Sequence, residues 1–91
     1  MRMTRQEFLK SSGLQGRTLE LWIEQEWLIP EETTEGASFS EIDVARAHFI
    51  QELKAGIGAN DEGIGVILHL VDQLHGVRRA LAELRRQMQE E

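Results

Sequence analysis

Few side chains in this sequence are able to do chemistry. His48, His69 and His75 are its three imidazoles, and there is no cysteine to act as nucleophile, redox partner or thiolate ligand. His69 and His75 stand six apart. On a helix that spacing turns them to different sides, so they do not form the i,i+4 pair that a zincin-type site needs. No serine or threonine sits in a nucleophile elbow. Gly56-Ile57-Gly58 and Gly63-Ile64-Gly65 resemble fragments of a phosphate cradle, yet neither follows a predicted strand or carries the third glycine or the lysine such a cradle requires. The sixteen carboxylates are numerous, but a 91-residue chain has little material to wall a cleft that would tune a pair of them. These residues point away from an enzyme, a cofactor site and a metal site.

The charges are better suited to recognition. Ten Lys and Arg against sixteen Asp and Glu give a formal charge of −6, which repels a phosphate backbone. From Thr18 to Ala45 there is no Lys or Arg, while Glu20, Glu24, Glu26, Glu31, Glu32, Glu35, Glu41 and Asp43 are all acidic. An apolar content of 41% at this charge is a globular composition. The longest nearly uncharged stretch, Gly63 to Val71, is too short to span a bilayer. The N-terminus has no apolar core of a signal peptide, so a cytoplasmic protein is expected.

The elements that must position these residues follow from capping and periodicity. Thr4 and Glu7 make a capping box, which predicts a short helix through Phe8 and Leu9 ending near Ser11-Ser12-Gly13. After a tight turn, Leu19, Trp22 and Ile23 predict a second helix from about Arg17 to Gln25. Trp27-Leu28-Ile29 before Pro30 reads as a brief extended segment. The polar stretch Glu31 to Ser38, with Gly36 at a turn, outlines a small hairpin, the wing of a helix-turn-helix. Ser40 and Asp43 cap a third helix whose face is Ile42, Val44, Ala45, Phe49, Ile50 and Leu53, and Ala55 to Ala59 breaks it. Asn60 or Asp61 caps a last helix that runs to the end, with Arg79–Glu83 and Arg86–Glu90 pairs along it. In that helix Ile67, Leu70, Leu74, Val77, Leu81, Leu84 and Met88 are spaced 3, 4, 3, 4, 3 and 4, an a/d seam for dimerisation, and a homodimer is expected. The fold class is mainly α: a winged helix-turn-helix head, residues 1–59, followed by a long dimerisation helix, residues 60–91.

The order Arg17-Thr18-Leu19-Glu20-Leu21-Trp22, then Leu28-Ile29-Pro30, then Phe39-Ser40-Glu41-Ile42-Asp43-Val44 resembles the DNA-binding head of the MerR family. In that family the second helix enters the major groove and a wing bearing arginine and tyrosine grips phosphates. Here the wing reads Glu35-Gly36-Ala37-Ser38-Phe39, with acid in place of base, so DNA binding is not expected. A second resemblance covers nearly the whole chain. The string Gly63-Ile64-Gly65-Val66-Ile67-Leu68-His69-Leu70-Val71-Asp72, continued by Leu74, Leu81 and Leu84-Arg85-Arg86, is similar to the long helix of the CbpM-type chaperone modulators, small bacterial relatives of the MerR head. The Ser12-Gly13-Leu14 turn, Pro30 and Phe39 fit the same pattern. Trp27 stands where a glycine is common, which implies a different approach to the wing.

What the second resemblance implies is a protein that binds and inhibits the J-domain of a DnaJ-like co-chaperone by covering its basic helix. The acidic run then supplies the contact: Glu20, Glu24, Glu31, Glu32 and Glu35, with Trp22 or Trp27 as an apolar anchor. A plainer reading stands beside it, in which the run is a solvated face and the tryptophans pack between the second helix and the wing. The alternative function is a MerR-like transcriptional regulator acting on DNA. A bare dimerisation module with some other partner fits the same composition.

Overall fold

The computed structural model describes residues 2–90. Its elements are β1 (Arg2–Met3), α1 (Arg5–Ser12), α2 (Gly16–Glu24), β2 (Glu31–Thr33), β3 (Gly36–Ser40), α3 (Glu41–Gln51), a π-helical segment (Glu52–Ile57) and α4 (Asp61–Gln89). They gather into two compact units, residues 1–59 and 60–91. The architecture is mainly α, with a winged helix-turn-helix head and a long C-terminal helix.

The capping box at α1 is present. Glu7 donates its backbone N–H to Thr4 Oγ1 at 3.2 Å, and Thr4 donates its own to Glu7 Oε1 at 2.8 Å. These bonds satisfy two donors that a helix start leaves orphaned. The helix closes at Gly13, whose left-handed φ of 77° lets its N–H reach Leu9 O at 3.0 Å. Phe8 leaves α1 on the buried side and stacks on Phe39 of β3, with centroids 4.4 Å apart.

The end of α2 explains both tryptophans. Glu26 takes a left-handed φ of 62° and donates its N–H to Ile23 O, while Trp27 donates to Trp22 O at 2.9 Å. That is the Schellman arrangement, in which the residue after the left-handed one packs on the side chain five positions earlier. Trp27 and Trp22 are that pair, with ring centroids 6.0 Å apart. The glycine missing at Trp27 is therefore not replaced by strain at Trp27; the left-handed turn falls one residue earlier, on Glu26. The segment from Trp27 to Ile29 leaves the helix and pairs with no strand; Trp27 and Leu28 both turn their N–H groups back to Trp22 O.

The predicted wing is there as β2 and β3, paired antiparallel with Glu31 opposite Ser38 and Thr33 opposite Gly36. Thr34 and Glu35 form the turn, and Gly36, expected within it, begins β3 with φ 112°. β1, which no sequence pattern announces, adds a third strand on the other side of β3, Arg2 opposite Ser40 and Met3 opposite Phe39.

Ser40 and Asp43 cap α3 as a second capping box, with the Ser40 N–H 2.8 Å from Asp43 Oδ2. The broad apolar face expected on α3 divides. Ala47 and Ile50, with Leu53 just beyond, enter the core, whereas Ile42 and Phe49 remain exposed. The expected break within Ala55 to Ala59 falls at Gly58, φ 78°, after the chain has widened into the π segment. Gly58 donates its N–H to Leu53 O, and Ala59 donates to the same oxygen at 2.8 Å.

In the second unit, Asn60 Oδ1 accepts the Gly63 N–H at 2.7 Å and opens α4. Its 29 residues make a helix about 44 Å long. Arg86 pairs with Glu90 at 3.0 Å, as its spacing predicts, and also takes Glu83, so Glu83 pairs forward with Arg86 rather than back with Arg79. From Leu70 on, the seam residues Leu70, Leu74, Val77, Leu81, Leu84 and Met88 are all exposed in the single chain, and Ile67 is half-buried. Among the described residues no helix is long and apolar enough to cross a membrane.

Candidate functional site

The acidic run from Glu20 to Glu35 spans the outer side of α2, the turn after it and the wing. Glu20, Glu24, Glu31, Glu32 and Glu35 are all exposed. They do not form one continuous surface. Glu20 and Glu24 share a helix face at i,i+4. Glu31 and Glu32 are neighbours on β2, and alternation along a strand sends them to opposite faces of the sheet. Glu35 sits in the hairpin turn, where its N–H bonds Thr33 Oγ1 at 3.2 Å.

Two of these carboxylates have basic partners that the local sequence hides. Arg5 of α1 reaches Glu20 at 3.0 Å, and Arg2 of β1 reaches Glu31 at 3.2 Å while also donating to Ser38 Oγ and Ser38 O. Although the stretch from Thr18 to Ala45 contains no cation, the chain N-terminus brings two to its edge. All four partners are solvent-exposed, so each pair is worth about 0–1 kcal/mol. The carboxylates of Glu24, Glu26, Glu32 and Glu35 make no ion pair among the described residues.

The tryptophans take the plainer of their two readings. Trp22 is 2% exposed and Trp27 is 6% exposed, and both belong to the core of the head. The Schellman closure of α2 requires them to face one another, and Lys54 lies over the Trp27 ring, 5.9 Å from its centroid. Neither ring is offered to a partner; of the two readings of these residues, core packing is the one that matches. The apolar side chains that do reach solvent within the acidic run are Leu21 and Ile29, 45% and 74% exposed. Leu21 was visible in the sequence as the residue beside Glu20 that lies off the Leu19–Trp22–Ile23 face. Ile29 gave no periodic signal.

Around Glu7 the capping hydrogen bonds act on its charge. The Thr4 backbone N–H first, and the Thr4 hydroxyl second, hold the Glu7 carboxyl below its ordinary value. Among the described residues no three His, Cys, Asp or Glu side chains gather as a metal-binding group.

A short helix, a glycine-closed turn, a second helix with an exposed outer face, a wing hairpin and a long trailing helix together define a winged helix-turn-helix regulator. The family described as MerR HTH family regulatory protein matches residues 3–86, and the chain belongs to it. No curated protein and no solved structure gives a match.

Proposed function

We propose that this chain is a non-enzymatic, cytoplasmic regulator that binds the J-domain of a DnaJ-like co-chaperone and blocks it, working as a homodimer joined through α4. The observation that carries the reading is the exterior of α2 and the wing. Glu24, Glu26, Glu32 and Glu35, exposed and with no ion pair among the described residues, stand with exposed Leu21 and Ile29 on or beside the elements where a DNA reader needs Lys and Arg. A basic helix is the charge complement of such groups. Charge would speed and orient the encounter, and Leu21 and Ile29 would supply the apolar contact first sought in the tryptophans. The likeness of Gly63 to Asp72 to the chaperone-modulator helix supports the same partner class.

Calorimetric titration of the purified chain with the J-domain of the co-chaperone from the same organism, at low and at moderate salt, tests this. Saturable binding that weakens as salt rises is expected, because exposed charges are screened over about 8–10 Å at physiological ionic strength. Heat that does not depend on the J-domain, or binding with a flat salt response, would remove the acidic-surface reading.

A second reading is favoured by one observation. Arg2 and Arg5 reach the wing and α2, the elements that the MerR resemblance assigns to DNA contact. If the J-domain does not bind, retention of a duplex carrying the chain's own promoter is the next measurement.

A further inference from the structure

The sheet of the head has an open edge. Among the described residues the strand order is β1-β3-β2, so β2 has a strand on one side only. Thr34 and Glu35 are the whole loop of the hairpin, which makes Thr33 and Gly36 its closing pair. In a two-residue hairpin the closing pair exchanges backbone hydrogen bonds, and along an antiparallel ladder bonded pairs alternate with unbonded ones. Glu31 with Ser38 is then the next bonded pair, and Glu32, opposite Ala37, turns its N–H and C=O away from β3. Every residue from Glu31 to Gly36 is exposed. Pro30, which has no N–H to give, bounds the edge on its N-terminal side.

Charge decides what such an edge accepts. Glu32 and Glu35 make no ion pair among the described residues, whereas Glu31, on the other face of the sheet, is met by Arg2. Pairing β2 with the β2 of a second copy about Glu32 would set Glu32 against Glu32, and like charges directly opposite destabilise a sheet. A strand with Lys or Arg at that position removes the repulsion. Added antiparallel, its central residue exchanges both backbone bonds with Glu32, and the two side chains stand about 5 Å apart at Cβ. The residue two before it lies opposite Thr34, beside Glu35. The residue two after it lies opposite Pro30, beside Ile29, which is 74% exposed. The two intervening residues face Thr33 and Glu31. Thr33 already donates its hydroxyl to Gly36 O at 2.7 Å, and Glu31 has its arginine, so small polar side chains suit these places.

We infer that β2 is a docking edge for an extended cationic segment of a partner protein, taken up by strand addition: Lys or Arg opposite Thr34 and Glu32, small polar residues opposite Thr33 and Glu31, and an apolar residue opposite Pro30 that covers Ile29. The inference goes beyond the J-domain reading. A basic helix meets the carboxylates of the wing but has no spare backbone groups for Glu32, so the two contacts are told apart by the Glu32 amide.

Titration of the full isotope-labelled chain with the capped peptide Thr-Lys-Thr-Lys-Thr-Val-Thr, followed by amide NMR spectra and hydrogen exchange, tests it. Saturable shifts centred on Glu31 to Glu35 are expected, with exchange of the Glu32 amide slowed roughly tenfold at saturation and binding that weakens as salt rises. The same peptide N-methylated at its second lysine keeps every charge but loses the donor to Glu32 O, and should bind roughly tenfold more weakly. Equal affinity of the two peptides would reduce the contact to charge alone and overturn strand addition, as would shifts centred on α2. No binding at millimolar peptide would mean that Glu31 and Glu32 only guard the edge against pairing, and the inference fails. Slowing of the Glu32 amide with protein concentration alone, without peptide, would assign the edge to a second copy instead. The J-domain titration is read separately, and either result holds without the other.

Discussion

Glu26 holds a left-handed backbone, φ 62°, at the place where helices most often put glycine. The conformation costs a residue with a Cβ about 1 kcal/mol, and glycine's extra freedom in the unfolded chain takes back part of that gain. Glu26→Gly should therefore stabilise the head by about 0.5 kcal/mol, read as a higher midpoint in urea. A lower midpoint would mean that the Glu26 side chain itself contributes to the fold. The same closure explains why sequence alone leaves the tryptophans between two readings. Their spacing of five is not a face of a regular helix, and only the Schellman turn, with an unusual residue at its left-handed position, brings Trp27 back onto Trp22. Glu7 gives a second test at this scale. Its carboxyl is held below the ordinary value of 4.5 by the Thr4 backbone and hydroxyl, so the folded form stays ionised to lower pH than the unfolded one. The capping box thus adds stability above about pH 4.5 and loses it as acid titrates the folded carboxyl. Urea unfolding of Glu7→Gln beside wild type should show a gap at pH 7 that narrows at pH 3; a gap of constant size would mean that the charge is not involved.

Among elements, those announced by a paired signal were legible. Both capping boxes, Thr4 with Glu7 and Ser40 with Asp43, form as their spacing demands, and Gly13 ends α1 in the left-handed conformation a helix stop prefers. Elements that depend on a distant partner were not legible. The two residues of β1 carry no alternation to detect, and they become a strand only because β3 offers an edge opposite Arg2 and Met3. Gly56 and Gly58 announce the break that falls at Gly58, but not the π segment before it, where the helix widens and Leu53 stays buried while its carbonyl takes the closing N–H groups. On α4 the heptad spacing is regular, and the single chain leaves the seam exposed from Leu70 to Met88. Because Leu81 is exposed in the monomer, Leu81→Asp should leave the circular dichroism of the folded chain nearly unchanged and convert dimers to monomers by light scattering. An unchanged dimer mass would place the contact elsewhere.

At the scale of the molecule, charge decides between the partners this fold could serve. The net −6 is set against a DNA backbone, yet the N-terminus places Arg2 and Arg5 beside Glu31 and Glu20, so the acidic character of the outer surface rests on fewer groups than the run from Thr18 to Ala45 suggests. This is where the candidate site was least legible: the basic residues that temper it are fifteen and twenty-nine positions away in sequence from the acids they meet. It also sharpens the test. Reversing Glu20 or Glu31 disturbs an internal pair as well as the surface, whereas Glu24 and Glu32 meet no cation among the described residues. Glu24→Lys/Glu32→Lys should therefore slow association with the J-domain by roughly tenfold at low salt, with little change in dissociation and none in the urea midpoint, because exposed charges act on the encounter more than on the bound state. Raising the salt should shrink the difference between variant and wild type, since screening removes the steering that the substitution reverses. Equal association rates at low salt would remove α2 and the wing from the interface. A change confined to dissociation would mean that these carboxylates are buried in the complex, and that the partner reaches further over the head than Leu21 and Ile29.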